Sequence, residues 1–138
     1  MPDWFTLHIA ALLLIAALFG GMLAFMGLFT PLVFTRLPEG AAGPFLRAVF
    51  PVYYRVCGIL SLLAALPLVP ARAYMPEVTT LVLVAGGFIA ANTVLRPAAE
   101  RARDDGRDAR FRLLHRVSVL LHLVQFGAVA VVLVRLAQ

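Results

Sequence analysis

An all-α integral membrane bundle of four transmembrane helices is the fold class that this sequence predicts. Hydrophobic residues make up 62% of the 138 residues and the mean hydropathy is +0.94, whereas soluble domains use roughly 45–50% apolar residues. The apolar residues fall into four long runs, and the stretches between them are too short to form a second domain. We therefore expect a single transmembrane domain over residues 1–138.

The first two predicted helices cover residues 4–35 and 46–69. The first run has no charged residue over its whole length, and roughly 20 apolar residues suffice to cross a bilayer. The start at residues 1–4 lacks the basic residues of a secretory signal, so we expect this helix to be retained. The second run is interrupted by Arg55, which makes it the weakest of the four spans.

The last two predicted helices cover residues 78–95 and 113–135. The third helix lies between Glu77 and a Pro97 that discourages its continuation. The charged loop 96–112 separates the two helices and carries arginine and acidic residues at helical spacing. This spacing is typical of a solvated helical extension.

The distribution of arginine, the only basic residue in the chain, predicts the orientation in the membrane. Eight arginines belong to the face that holds the loops after helices 1 and 3, and two belong to the opposite face. The positive-inside rule places the arginine-rich loops in the cytoplasm and both termini outside, which means the periplasm for an inner (plasma) membrane. Because the arginines gather beside apolar runs without a recognition motif, we expect the lipid bilayer and no nucleic acid as a partner.

Small residues on two helices predict where helices approach each other closely. Lipid gives no hydrophobic drive for helix association, so close packing relies on small side chains. Glycine pairs occur in the first and third helices, with alanines at four-residue spacing from them. The predicted helix-packing residues are Gly20, Gly21, Gly86 and Gly87.

Polar residues inside the spans are the candidate site. Such residues are costly in lipid unless they are paired or hydrated. Helical spacing and depth from the arginine-rich side group five of them, namely Tyr54, Arg55, Asn92, His115 and Ser118. His122 and Gln125 extend a polar stripe along the fourth helix. The alternative is a set of interhelical hydrogen bonds worth roughly 0.6 kcal/mol each, with no function beyond packing.

A metal or haem site is a weaker alternative. Cys57 and His122 lie at similar predicted depth and are weak candidates for binding a soft ion such as copper, but two ligands are few. His115 and His122 lie about 10 Å apart along one helix, which is too far to share an ion easily. A bis-histidine haem would need two copies of His122 from a dimer, because His8 lies at a different depth. We therefore expect no cofactor.

Several short segments resemble a known family. They include Phe29-Thr30-Pro31, Phe50-Pro51-Val52-Tyr53-Tyr54, Asn92, Arg96-Pro97, Phe111, His115 and Ser118, and together with the glycine pair of the first helix they extend over nearly the whole chain. The sequence thereby resembles the four-helix membrane family typified by transmembrane protein 205, whose bacterial members are classed as a domain of unknown function. The resemblance implies a four-span bundle without an agreed activity or cofactor, and it singles out Pro51, Tyr53, Asn92, His115 and Ser118.

Taken together, these patterns favour a non-enzymatic membrane component related to transport or accessory to other proteins, with the polar cluster as its site. No acidic residue is expected inside a span, so a Ser-His-acid hydrolase is not indicated. A homo-oligomer or a larger membrane complex would supply the cavity that four helices barely enclose. The alternative function is a membrane redox or metal- or haem-handling protein that uses buried histidine and cysteine.

Overall fold

Four long helices account for nearly all of residues 3–138, the part of the chain that the computed structural model describes. They are α1 (Trp4–Arg36), α2 (Ala42–Leu68), α3 (Arg72–Asp104) and α4 (Asp108–Ala137). Each is long and apolar enough to cross a membrane, and the described residues form no strand. The predicted fold class is confirmed. Met1 and Pro2, the first residues of the predicted retained start, lie outside the described residues.

The helices pack in chain order around a ring, so that each contacts the helix before it and the helix after it, and α4 returns to α1. Large apolar side chains fill the centre and are completely or almost completely buried. Because this interior is packed with carbon, dispersion contacts and the exclusion of lipid hold the bundle together. The largest of these core side chains are Phe88, Ile15, Leu18, Met22, Leu68 and Leu81.

The outer surface of the bundle is as apolar as its interior. Leu83 and Val124 are each 70% exposed, and many other leucine, valine and phenylalanine side chains point outward. An exposed apolar surface of this extent is far larger than a soluble monomer tolerates. The chain is therefore a multi-pass membrane protein whose outer face is solvated by lipid.

The helices extend further than the apolar runs alone predict. α2 begins at Ala42 rather than near residue 46, and α3 runs to Asp104 rather than to residue 95. Charge pairs stabilise the α3 extension, since Arg96 binds Glu100 at 3.0 Å and Asp104 binds Arg47 of α2 at 2.9 Å. The connections are correspondingly short.

Two of these connections contain a glycine in the left-handed region. Gly40 lies between α1 and α2 with φ 81°, and Gly106 lies between α3 and α4 with φ 69°. Residues with a Cβ rarely adopt this conformation, so glycine permits the tight reversal at both places.

The N-terminus of α1 is capped by Asp3. Its Oδ1 accepts hydrogen bonds from the Thr6 hydroxyl at 2.6 Å and from the Thr6 backbone N–H at 2.8 Å. These bonds favour the charged carboxylate and lower the pKa of Asp3. The cap is therefore strongest above the ordinary pKa of the carboxyl and is lost as the pH falls through the lowered value.

α1 and α3 each contain a widened, π-helical segment near the arginine-rich end. The segments are Phe25–Phe29 and Ala91–Leu95, and each is followed by a proline, Pro31 or Pro97. A proline lacks the N–H for the helical bond, and its ring displaces the carbonyl four residues earlier, which here belongs to the π segment. In α1 the Thr30 hydroxyl donates to the Phe25 carbonyl at 2.9 Å. Such segments often occur at functional sites.

Candidate functional site

The five residues of the predicted polar cluster do not form one hydrogen-bonded group. The Arg55 side chain is exposed and its Nε donates to the Pro51 carbonyl of its own helix at 3.1 Å. The Ser118 hydroxyl donates to the Leu114 carbonyl, also within its own helix, at 2.9 Å. The Ser118 hydroxyl is therefore satisfied locally, and neither side chain makes a hydrogen bond to a neighbouring helix.

The other three members of that cluster have separate surroundings. His115 is exposed on α4 with its ring centroid 6.0 Å from that of Phe111. Asn92 lies in the π segment of α3, where its Oδ1 accepts from Arg96 Nε at 3.3 Å. Tyr54 is half-buried and its ring lies 5.6 Å from that of Phe50, between centroids.

A different polar pair lies at the centre of the bundle. The Tyr53 hydroxyl and His122 Nε2 share a hydrogen bond of 3.2 Å that joins α2 to α4. The ring of Tyr53 is stacked on Phe25 with centroids 3.8 Å apart, and His122 lies against Phe88 at 5.9 Å. The phenol and the imidazole thus satisfy each other among aromatic rings. The argument from spacing and depth selected Tyr54, whereas the resemblance singled out its neighbour Tyr53, which makes this contact.

Gln125 provides a second interhelical bond. The side chain is buried, and its Nε2 donates to the Val84 carbonyl of α3 at 2.8 Å. This approach depends on Gly87, because a Cβ at that position would stand 2.6 Å from Gln125 Nε2. Gly87 is thus at a close helix contact within the chain.

The other three glycines of the predicted packing set make no close contact with a neighbouring helix. A Cβ added at Gly20, Gly21 or Gly86 would meet no other residue within 4 Å. Within one chain these positions therefore do not bring two helices together. A role for them in packing would require a second molecule.

One of these positions lines a groove between α1 and α2. The groove has a volume of about 410 Å³ and is lined almost entirely by carbon atoms. Gly21 and Ala24 leave space on the α1 side, and the Tyr53 ring and Cys57 form part of the α2 side. Its size lies within the usual range for small-molecule sites, roughly 300–1,000 Å³. The remaining lining residues are Ala17, Leu18, Phe25, Leu28, Phe29, Leu32, Val56 and Leu60.

A third polar group lies at the opposite end of the bundle, where both termini are found. Glu77 is only 3% exposed, although it was expected to mark the boundary of a span, and its Oε1 accepts from Arg135 Nε at 2.7 Å. His8 Nε2 donates to the Leu136 carbonyl at 2.8 Å, which satisfies an acceptor at the end of α4. Among the described residues, Glu77 Oε2 and His8 Nδ1 have no hydrogen-bond partner. Glu77 is thus buried against α4 at the start of α3, at the edge of the predicted third span.

Cys57 and His122 are the residues considered for a metal or haem. Cys57 is buried and free, and both residues are neighbours of Tyr53. Among residues 3–138, no three histidine, cysteine, aspartate or glutamate side chains lie close enough to hold one metal ion. A single chain thus offers fewer protein ligands than the three or four of a typical zinc site.

Comparison with known proteins places the chain in a family. Searches of curated proteins and of solved structures found no match. A family model described as "Domain of unknown function (DUF4149)" matches residues 13–108, which include both sides of the groove and end before His122. The match agrees with a membrane domain of unknown function, and it does not establish the resemblance to transmembrane protein 205. The chain belongs to the DUF4149 family.

Proposed function

We propose that the protein is a non-enzymatic membrane component that binds one long apolar molecule, such as a lipid acyl or isoprenoid chain, in the groove between α1 and α2. The groove itself is the observation that carries this proposal. The groove opens on the side that faces lipid. Its volume is about 410 Å³ and its wall consists almost entirely of carbon atoms. An apolar chain entering it loses no hydration, and binding would rest on close contact with the wall.

A comparison within the chain supports a ligand in this groove. Gly21 precedes Pro31 by ten residues, and Gly87 precedes Pro97 by the same interval. At Gly87 the space is filled by the Gln125 side chain, whereas a Cβ at Gly21 would meet nothing within 4 Å. The space beside Gly21, between α1 and α2, is thus open, whereas the equivalent space beside Gly87, between α3 and α4, is filled by Gln125.

The Tyr53 side of the groove would suit a molecule with one polar group. Cys57 lines the groove, and the Tyr53 hydroxyl points onward to His122. A ligand hydroxyl or carbonyl that reached this side would have to take over the Tyr53 hydroxyl from His122, because the groove surface is otherwise almost entirely carbon. The rest of the wall offers only carbon, so we expect selectivity for long and weakly polar molecules.

An accessory or lateral carrier role fits this geometry better than passage through the centre of one chain. Leu81 and Phe88 are 0% exposed in the interior, and moving a solute past them would require the helices to separate. A groove at the lipid-facing surface allows a ligand to enter sideways from the bilayer. Transport, where it occurs, would then rest on a second copy or another protein that shares the groove.

A redox or metal-handling role remains the second candidate, because Cys57 and His122 both neighbour Tyr53. A second chain would have to supply further ligands. Metal analysis and an absorption spectrum of detergent-purified protein separate the two functions. Stoichiometric metal or a visible haem band would favour the second candidate, and our proposal predicts a colourless protein without stoichiometric metal.

Photo-crosslinking tests the groove. Membranes containing the full chain are incubated with a diazirine-bearing fatty acid and irradiated, and the labelled peptides are mapped by mass spectrometry. We expect labelling of the groove walls in the wild type, and a loss of about tenfold in Gly21→Leu, which corresponds to ~1.4 kcal/mol.

Gly20→Leu is the matched control, since Gly20 is equally unhindered but does not line the groove. It should keep wild-type labelling. Equal labelling of the wild type and of Gly21→Leu would overturn the proposed site, and so would labelling spread evenly over the lipid-facing surface.

A further inference from the structure

A second depression lies at the arginine-rich end of the bundle, apart from the groove. Its volume is about 230 Å³, and four residues line it: Ala98, Arg101, Arg107 and Arg110. Three guanidinium groups around one small space form a concentration of positive charge. Planar guanidinium groups bind phosphate oxygens with paired hydrogen bonds.

The turn between α3 and α4 assembles this depression. Arg101 belongs to the last turns of α3, Arg107 lies in the turn, and Arg110 belongs to the first turn of α4. Gly106, with φ 69°, reverses the chain so that these three residues meet. The site is therefore formed by the fold and is not simply a run of neighbouring arginines.

The carboxylates of this region are mostly paired with arginines, and one of these pairs includes an arginine that lines the depression. Glu100 pairs with Arg96, Asp104 pairs with Arg47, and Asp105 pairs with Arg107 at 2.6 Å.

Arg101 and Arg110, by contrast, have no carboxylate within 4 Å among residues 3–138. Arg101 uses its Nε to donate to the Pro97 carbonyl at 3.2 Å, which leaves its terminal nitrogens available. Asp108, the remaining acid of the segment, does not line the depression. Positive charge thus exceeds negative charge at this place.

The backbone at the start of α4 adds to the positive electrostatic potential of the depression. α4 begins at Asp108, whose carboxylate lies in the first turn, and the N-cap residue Arg107 makes no side-chain hydrogen bond to that turn. The uncapped N–H groups at a helix start attract anions. Arg110 in that first turn places a guanidinium beside them.

The position of the depression along the helices matches the headgroup layer. Val94, four residues before Ala98, is 60% exposed, and Leu113, three residues after Arg110, is 61% exposed. Both apolar side chains are suited to lipid tails; Leu113 lies about one helical turn from Arg110, and Val94 lies about two turns from Arg101. Anionic headgroups are recognised by basic pockets at this level.

We propose that Arg101, Arg107 and Arg110 bind the phosphate of an anionic glycerophospholipid whose acyl chains lie beside Val94 and Leu113. The site holds a lipid at the membrane surface, independently of the apolar ligand of the groove. It ties α3 to α4 through the bound phosphate.

Thermal unfolding of the detergent-purified full chain tests this site. Dioleoyl phosphatidylglycerol, dioleoyl phosphatidylcholine or inorganic phosphate is titrated, and the Tm is followed. We expect phosphatidylglycerol to raise the Tm saturably, while the other two leave it unchanged. In the double variant Arg101→Gln/Arg110→Gln the concentration of phosphatidylglycerol needed should rise by about tenfold or more, because charge-assisted hydrogen bonds are lost.

Arg112→Gln is the matched control, since it removes one charge from the same segment without lining the depression. It should respond to phosphatidylglycerol like the wild type. An equal loss of response in Arg112→Gln would overturn the site in favour of general surface charge. An equal rise in Tm with phosphatidylcholine or with inorganic phosphate would overturn the assignment to an anionic lipid.

Discussion

Several buried and half-buried polar side chains in this protein contact a partner on another helix, whereas Ser61 bonds within its own helix and one oxygen of Glu77 has no partner among the described residues. Tyr53 pairs with His122, Gln125 with the Val84 carbonyl, and Glu77 with Arg135. Lipid cannot replace a lost partner, so each of these contacts is more demanding than an equivalent contact at a wet surface. Polar contacts therefore specify which faces of the helices meet.

Gly87→Ala should destabilise the protein more than Gly86→Ala. A Cβ at Gly87 stands 2.6 Å from Gln125 Nε2, so Gln125 must move away from Val84. The loss should be about 1–3 kcal/mol, as for a buried polar group that loses its partner. Thermal unfolding in detergent checks it.

Gly86→Ala serves as the control, since a Cβ at Gly86 meets nothing within 4 Å. Replacing Gln125 by alanine as well should remove most of the difference between Gly87→Ala and Gly86→Ala. If the two glycine variants had the same Tm, the proposed role of Gly87 would be wrong.

Arg135→Gln should destabilise the bundle by leaving the Glu77 carboxylate buried without its charge partner. A fully buried pair costs roughly 3–5 kcal/mol to break. The Arg135 side chain is 58% exposed, so solvent screening reduces the expected loss to about 1–3 kcal/mol. Unfolding of Arg135→Gln, Glu77→Gln and the double variant measures the coupling, and the double variant should be more stable than Arg135→Gln. Simple additivity of the two single variants would rule out the coupling.

At the scale of the helices, sequence reasoning located the four spans well and located side-chain partners less well. Apolar runs are visible in the sequence because lipid requires them. The charge spacing of residues 96–112 predicts a helical extension of α3, whereas the ion pair of Asp104 with Arg47 joins residues that are distant in sequence. The π segments account for the position of Asn92 alone, since ideal 100° spacing fails within such a segment. The other four residues of the predicted cluster lie in α2 and α4, which contain no π segment. The sequence does contain a signal for the π segments, a proline following each of them.

Pro31→Ala should reduce ligand capture in the groove. With an N–H restored at this position, α1 can return to regular helix, which would turn Phe25 away from its 3.8 Å stack on Tyr53. We expect a several-fold loss of the fatty-acid crosslink. Pro38→Ala in the connection between α1 and α2 should keep wild-type labelling. Undiminished labelling in Pro31→Ala would show that the π segment does not shape the groove.

At the scale of the whole molecule, the two helix pairs follow one pattern. Each pair begins with a helix that contains a glycine pair, a π segment and a proline in the same order. The second helix of each pair carries a related segment, Tyr54-Arg55-Val56-Cys57 in α2 and His115-Arg116-Val117-Ser118 in α4. The pairs differ at the glycines, where only the second pair is filled by Gln125. The two helix pairs therefore have the same framework, and the groove is open only in the pair formed by α1 and α2.

The arginine distribution predicts the topology of this framework. A reporter that requires export, fused after Gln138, should be active, and a reporter that requires the cytoplasm should be inactive at the same position. The reason is the excess of arginine in the loops after α1 and α3. A reporter inserted near Gly106 should give the opposite pattern, and the reverse result at both places would contradict the predicted orientation.

Native mass spectrometry of the full chain, released from mild detergent, tests the central claim most directly. The account predicts that the wild type retains one bound apolar molecule per chain, that Gly20→Leu retains the same molecule, and that Gly21→Leu has lost it. A wild-type protein without a bound molecule, or a Gly21→Leu variant that retains it as well as the wild type does, would contradict the assignment of the groove as the functional site.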